Sequence, residues 1–240
     1  MIQTALIILW VVFSTIVFGT AAILAAPFSR TGNFVHLIAR TWGYSILVAS
    51  RIRVSVLGQE NFDPSRSYIF MSNHQSNFDI PVLLAHLRCQ FRWLAKAELF
   101  RIPIFGRGMR GAGYIPIDRS DRRAAMESLQ QAAETIRNGT SVMIFPEGTR
   151  SRDGVLRSFK KGGFILAVDA GVPIVPVLIC GTFQIMPRSS LRIRSGRVCV
   201  QILEPIETAG YGRKRKNELL EAVRSRMLEA QQQLSEGTPC

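Results

Sequence analysis

Met71-Ser-Asn-His-Gln-Ser-Asn-Phe-Asp-Ile-Pro81 is the stretch around which the rest of the chain is organised. It follows an apolar run, Tyr68-Ile-Phe-Met71, that stops abruptly in small polar residues. Ser76 and Asn77 are residue types that cap helices, and Pro81 fits only the first turn of one, because it lacks an N–H and clashes with a preceding turn. The spacing therefore predicts a strand, a turn carrying His74, and a helix that begins a few residues before Pro81. Asp79 falls in the cap or first turn of that helix, where the positive end of the helix dipole favours a carboxylate. From there it can accept a hydrogen bond from one imidazole nitrogen of His74 and leave the other nitrogen basic. This is the base-and-orienter half of a catalytic triad, without a serine or cysteine nucleophile. On this reading the substrate brings its own nucleophile and His74 takes the proton from it. A metal site is not indicated: His36 and His86, the other two histidines, come with no Cys or carboxylate cluster at ligand spacing.

Outward from this turn, short apolar runs alternate with helical stretches. The pattern predicts strands over 52–57, 67–71, 91–95, 114–117, 141–145, 174–179 and 198–203. Helices are predicted over 80–87, 121–137, 159–168 and 217–234, the second closed by Asn138-Gly139 and the third by Gly171. The alternation implies a layered α/β fold with a mixed sheet of about seven strands flanked by helices. There is no internal repeat.

The first fifty residues differ from the rest. Ile2 to Phe28 contains no charged side chain and is long enough to cross a bilayer. It reads as a membrane anchor rather than a signal peptide, since no Lys or Arg precedes it and the run exceeds an ordinary h-region. Phe34 to Ser50 is apolar but shorter, broken by Arg40 and Gly43, and reads as an interfacial helix folding back on the first. The chain thus divides into a membrane-anchoring helical pair, residues 1–50, and a catalytic α/β domain, residues 51–240. Arg30, Arg40, Arg51 and Arg53 all follow the first apolar run, which places the bulk of the protein on the cytoplasmic side of the cell inner membrane.

The net charge of +13, on a chain that is 47% hydrophobic, points to anionic partners: nucleic acid, anionic lipid or a phosphorylated substrate. The four cysteines show no paired spacing, so a reducing compartment is expected. A second polar constellation, Phe145-Pro-Glu-Gly-Thr-Arg-Ser151, also follows a strand and should project from the same sheet edge as His74. A glycine beside hydroxyls and an arginine is what a phosphate needs, since it offers open main-chain N–H groups and a bidentate cationic fork. Arg150 is the candidate fork. Lys96 ends a strand, and Lys160-Lys161-Gly162-Gly163 opens a helix, whose N-terminus attracts anions.

Asn73-His74-Gln75-Ser76-Asn77-Phe78-Asp79 resembles the NHxxxxD motif of the glycerolipid acyltransferases. Gly113-Tyr-Ile-Pro-Ile-Asp-Arg119 resembles their second motif, Phe145 to Ser151 their third, and Val172-Pro-Ile-Val-Pro-Val177 their fourth. The four occur in the family's order across roughly residues 53 to 205. The resemblance is strongest to the bacterial 1-acyl-sn-glycerol-3-phosphate acyltransferases. Two departures, Asn77-Phe78 inside the first motif and Pro116 inside the second, touch no residue with an assigned chemical role.

The resemblance implies that His74, oriented by Asp79, deprotonates the free hydroxyl of lysophosphatidic acid. That oxygen then attacks the thioester of acyl-CoA or acyl carrier protein (acyl-ACP), giving phosphatidic acid without an acyl-enzyme. It implies further that Arg150, Lys96 and Arg119 bind the acceptor phosphate and that Glu147, Gly148 and Thr149 shape the loop. No cofactor and no metal is expected, and the membrane is a partner. By analogy with the family the helical pair lies as a hairpin in one leaflet. Other lysophospholipids and glycerol 3-phosphate remain alternative acceptors. Nucleic acid is not expected: Arg213-Lys-Arg-Lys216 is basic, but no platform of aromatic and basic residues accompanies it. A hydrolase built on His74 and Asp79 is disfavoured because no G-x-S-x-G nucleophile is present.

Overall fold

Residues 2–118 and 122–237 are described by the computed structural model, and one sheet of seven strands forms their centre. The strands are β1 (Ile52–Leu57), β2 (Ile69–Ser72), β3 (Arg92–Lys96), β4 (Ile115–Ile117), β5 (Val142–Ile144), β6 (Ile174–Cys180) and β7 (Gly196–Ile202). In space they lie in the order β1-β7-β6-β2-β5-β3-β4. Strands β6, β2, β5, β3 and β4 run parallel to one another; β7 runs antiparallel to β6, and β1 runs parallel to β7. The sheet is therefore mixed, as the alternation of short apolar runs implied.

Side chains alternate between the faces of a strand. Phe70, Met143, Val175, Val177 and Ile179 point into one core, shared with α1 (Ile2–Ala25), α2 (Asn33–Ala49), α3 (Asp79–His86) and α4 (Phe105–Gly111). Ile69, Met71, Val142, Ile144, Ile174 and Leu178 point into the other, covered by α5 (Arg122–Arg137), α6 (Gly162–Ala170) and, after the short α7 (Thr182–Ile185), α8 (Lys216–Gly237). Helix α6 starts three residues later than the periodicity predicted, because the Lys160 N–H is drawn back to the Pro146 carbonyl at 2.8 Å.

The N-terminal pair is joined to the sheet. Helix α2 buries Val35, His36, Gly43, Ile46 and Leu47 while leaving Phe34, Leu37, Tyr44 and Val48 exposed. Gly43 lets α2 close on α3: a Cβ there would stand 3.0 Å from the Pro81 carbonyl oxygen. The Trp42 indole N–H donates to Thr15 Oγ1 at 3.2 Å and so ties α2 to α1. Helix α1 buries little beyond Ile7, Ser14 and Ala22; Leu6, Leu9, Val12, Phe13, Ile16 and Leu24 are exposed. Ile2–Phe28 is long and apolar enough to cross a membrane.

Helix α4 was not foreseen. Its stretch, Arg101 to Gly113, holds a proline and four glycines and reads as loop. The glycines serve packing instead: a Cβ on Gly111 would lie only 2.8 Å from the Ala26 Cβ, and one on Gly108 would reach Ala22 at 3.6 Å.

Candidate active site

Strands β2 and β5 are parallel neighbours, so the turns leaving their C-terminal ends meet at one sheet edge, with the end of β6 on the other side of β2. Open α/β sheets bind ligands outside the carboxyl ends of such strands. Where β2 stops, the Asn73 side chain continues the pairing with β6. Its amide donates to the Ile179 carbonyl at 2.8 Å, and its oxygen accepts the Ile179 N–H at 2.7 Å.

The turn then holds His74 from four sides. Its main-chain N–H donates to Glu147 Oε1 at 2.8 Å, and its carbonyl accepts the Ser151 N–H at 2.7 Å. Its ring stacks on Phe145, with centroids 3.9 Å apart and planes 8° from parallel; Phe145 in turn stacks on Trp93. On the fourth side Nδ1 lies 2.7 Å from Asp79 Oδ2. With a carboxylate as acceptor, Nδ1 carries the proton and Nε2 keeps a free lone pair.

Asp79 is fully buried at the first position of α3. Its Oδ2 also accepts the Gln75 N–H at 2.7 Å and the Ser76 N–H at 2.9 Å. The expectation that Ser76 or Asn77 would cap this helix is corrected here. α3 has no side-chain cap, and the Ser76 hydroxyl instead donates to the Met186 carbonyl at 2.8 Å. The Asp79 carboxylate collects the Gln75 and Ser76 N–H groups, while the Ser76 hydroxyl accepts the Phe78 N–H at 3.2 Å ahead of the helix and donates outward to Met186.

Glu147 is nearly fully buried beneath the second turn. Besides His74 it accepts the Arg157 N–H on Oε2 at 3.2 Å. Burial pushes its carboxyl up to about 7, with the N–H donors of His74 and Arg157 pulling the other way. Gly148 has φ +72°, and a Cβ there would meet the Lys160 side chain at 2.9 Å, so only glycine fits. Thr149 and Arg150 carry the turn outward. Arg150 is half-buried, and no ion pair reaches it among the described residues. Burial and the neighbouring Arg188 hold its guanidinium below its usual range, with the Asp79 charge opposing.

Between the sheet edge and helices α1, α2 and α4 lies a cavity of about 220 Å³. Its wall is mostly apolar, with Phe18, Ala22, Trp42, Leu84, Phe105 and Met109 contributing. His74, Lys96 and Gly148 also line it, so the candidate base and one candidate phosphate ligand share a chamber. Arg150 stands on the turn beside it. Arg119 lies outside the described residues. His36 does not line this chamber but lies behind its wall, buried edge-on against Phe91 and with Nδ1 3.1 Å from the hydroxyl of Tyr114, which does.

The family description Acyltransferase matches residues 53–180, which hold the dyad and both turns. The chain belongs to the acyltransferase family. It is 41% identical over 186 residues to the chloroplastic 1-acyl-sn-glycerol-3-phosphate acyltransferase LPAT1 of Arabidopsis thaliana, covering 77% of this chain and 51% of that one. It is 36% identical over 185 residues to 1-acyl-sn-glycerol-3-phosphate acyltransferase alpha of Bos taurus, with 77% and 64% covered. The chain thus spans about half to two thirds of the length of these relatives. The crystal structure of the 1-acyl-sn-glycerophosphate (LPA) acyltransferase PlsC from Thermotoga maritima superposes with a TM-score of 0.86 at 28% identity, covering 100% of this chain and 97% of that one.

Three contributors to this site escaped the sequence reading. Asn73 and Phe145 lie inside the motifs, but their parts, a surrogate strand bond and a stacking floor, depend on partners 106 and 71 residues away or more. Arg188 carried no signal at all: an arginine after a proline in a polar stretch reads as a solvated surface residue. It donates from Nη1 to Thr149 Oγ1 at 3.1 Å and to the Arg150 carbonyl at 3.2 Å.

Proposed function

We propose that the chain transfers a fatty acyl group from acyl-CoA or acyl-ACP to the sn-2 hydroxyl of 1-acyl-sn-glycerol 3-phosphate, giving phosphatidic acid. The observation that carries this reading is His74, held by Asp79 at 2.7 Å and lining an apolar cavity that it shares with Lys96. A long acyl chain suits such a cavity, a phosphate suits the cations at its edge, and a base without a protein nucleophile suits an acceptor that is itself the nucleophile. The names of the relatives agree with it.

In the proposed reaction Nε2 of His74 takes the acceptor hydroxyl proton as that oxygen attacks the thioester carbonyl. A C–O bond forms, the C–S bond breaks, and the imidazolium returns its proton to the departing thiolate. Such general-base help is worth about 10²–10⁴-fold. Asp79 fixes the tautomer and balances the imidazolium, while Arg150 and Lys96 hold the phosphate, joined by Arg119. The reaction needs no cofactor, since the thioester is already activated. The exposed apolar residues of α1 and α2 rest in the cytoplasmic leaflet of the cell inner membrane, delivering the lysolipid sideways to the cavity.

The test is acyl transfer by the purified full chain in mixed phospholipid vesicles. Both donors are paired with 1-acyl-sn-glycerol 3-phosphate, other lysophospholipids, glycerol 3-phosphate and monoacylglycerol. The first acceptor should lead by kcat/KM; a preference for glycerol 3-phosphate, or indifference to the phosphate, refutes the reading. Flotation of the full chain with those vesicles checks the membrane placement, and a chain that stays in the soluble fraction refutes it.

A further inference from the structure

Arg150 and Arg188 come from turns 38 residues apart, yet the protein holds them together. Arg188 Nη1 grips the Thr149 hydroxyl and the Arg150 carbonyl, so it is fastened to the turn that aims Arg150. No carboxylate pairs with either guanidinium among the described residues. Arg213 and Arg215, by contrast, are anchored by carboxylate partners, Asp169 and Glu218. Two like charges held close without a counter-charge cost free energy, and the arrangement becomes favourable when a multiply charged anion bridges them. The segment bearing Arg188 is itself held in place, because the Ser76 hydroxyl bonds the Met186 carbonyl and the Arg194 N–H bonds the Ile185 carbonyl.

We propose that Arg188 is the second arm of a two-guanidinium clamp with Arg150, built to take a dianionic phosphate monoester in preference to a phosphodiester. The proposal rests on the reading of the site given above and adds to it the residue that sets headgroup specificity. A monoester offers three terminal oxygens and close to two negative charges at neutral pH, enough to engage both forks. A diester offers two oxygens and one charge, which Arg150 alone can satisfy. Arg188 touches neither His74 nor Asp79, so its contribution belongs to acceptor binding rather than to proton transfer.

The experiment compares wild type, Arg188→Ala and Arg188→Lys with three acceptors: 1-acyl-sn-glycerol 3-phosphate, its glycerol phosphodiester counterpart and monoacylglycerol. Each is run with acyl-CoA and with an acyl-pantetheine donor that lacks the nucleotide phosphates. Arg188→Ala should lower kcat/KM for the monoester about ten-fold, the low end for a charge-assisted contact because Arg188 is exposed, and mostly through KM. The other two acceptors should hardly change, and Arg188→Lys should restore part of the loss, keeping charge without the fork. Equal losses on all three acceptors would make Arg188 a scaffold for the turn and overturn the proposal. A loss that vanishes with acyl-pantetheine would assign the anion to the donor and overturn it equally. Inorganic phosphate reads the clamp without turnover. It should raise the wild-type Tm more than that of Arg188→Ala at the same concentration, and an equal shift in both refutes the clamp whatever the activity proves to be.

Discussion

Replacing Asn73 by Ala separates what holds the His74 turn from what performs its chemistry. The Asn73 side chain is buried, and both its hydrogen bonds go to the main chain of Ile179. Alanine leaves that N–H and that carbonyl buried without partners, at about 1–3 kcal/mol each, or about 4 kcal/mol for the two at mid-range. For a chain of this size about 4 kcal/mol lowers Tm by about 8–16 °C. The Asn73 side chain contacts neither the His74 ring nor Asp79, so molecules that remain folded should keep most of their turnover. Asn73→Asp should be no milder, because it retains the acceptor for the Ile179 N–H but sets a second oxygen against the Ile179 carbonyl. The assay pairs thermal unfolding in detergent with acyl transfer measured well below the transition. A variant with wild-type Tm, or a fully folded variant with no turnover, would refute the reasoning; the second result would give Asn73 a part in the chemistry.

Other expectations follow from the same geometry. His74→Ala should abolish transfer with the fold intact, and Asp79→Asn should leave a small residue of activity, since the imidazole stays but its tautomer is lost; near wild-type turnover in folded His74→Ala refutes the assignment. Arg150→Ala should cost tens- to hundreds-fold in kcat/KM with the phosphorylated acceptor, from about 1.5–3 kcal/mol for a charged contact, and hardly anything with monoacylglycerol. Glu147 holds its proton up to about pH 7 in the folded chain but releases it at an ordinary carboxylate value when unfolded, so its contribution to stability falls as pH rises through that window. Glu147→Gln should flatten the fall in a Tm-versus-pH series, and identical slopes would contradict this.

The sheet was legible because its strands are short apolar runs with abrupt polar ends, and the dyad because both members fall within one turn. The reading faltered where a residue's meaning depends on a distant partner. Gly108 and Gly111 look like loop formers until the N-terminal helix is laid against them and their missing side chains become the contact surface, and Gly106 until the Phe100 main chain closes on it. Ser76 has a capping residue's identity, but its hydroxyl reaches only the Phe78 N–H ahead of the helix and is fixed by Met186, 110 residues on. Arg188 gains significance only through Thr149, 39 residues away. Local propensity cannot register any of these, since each is decided by tertiary neighbours.

The fastenings of the His74 turn also set an order of events during synthesis. They run to Glu147, Ile179 and Met186, at sequence separations of 73, 106 and 110. Contacts so remote form late, because the intervening chain must be closed before they repay it. A growing chain therefore completes α1 and α2 long before these three anchors of the His74 turn exist, when only Asp79 is at hand to hold the ring. The turn is fully fastened only when the stretch beyond β6 has been made and docked.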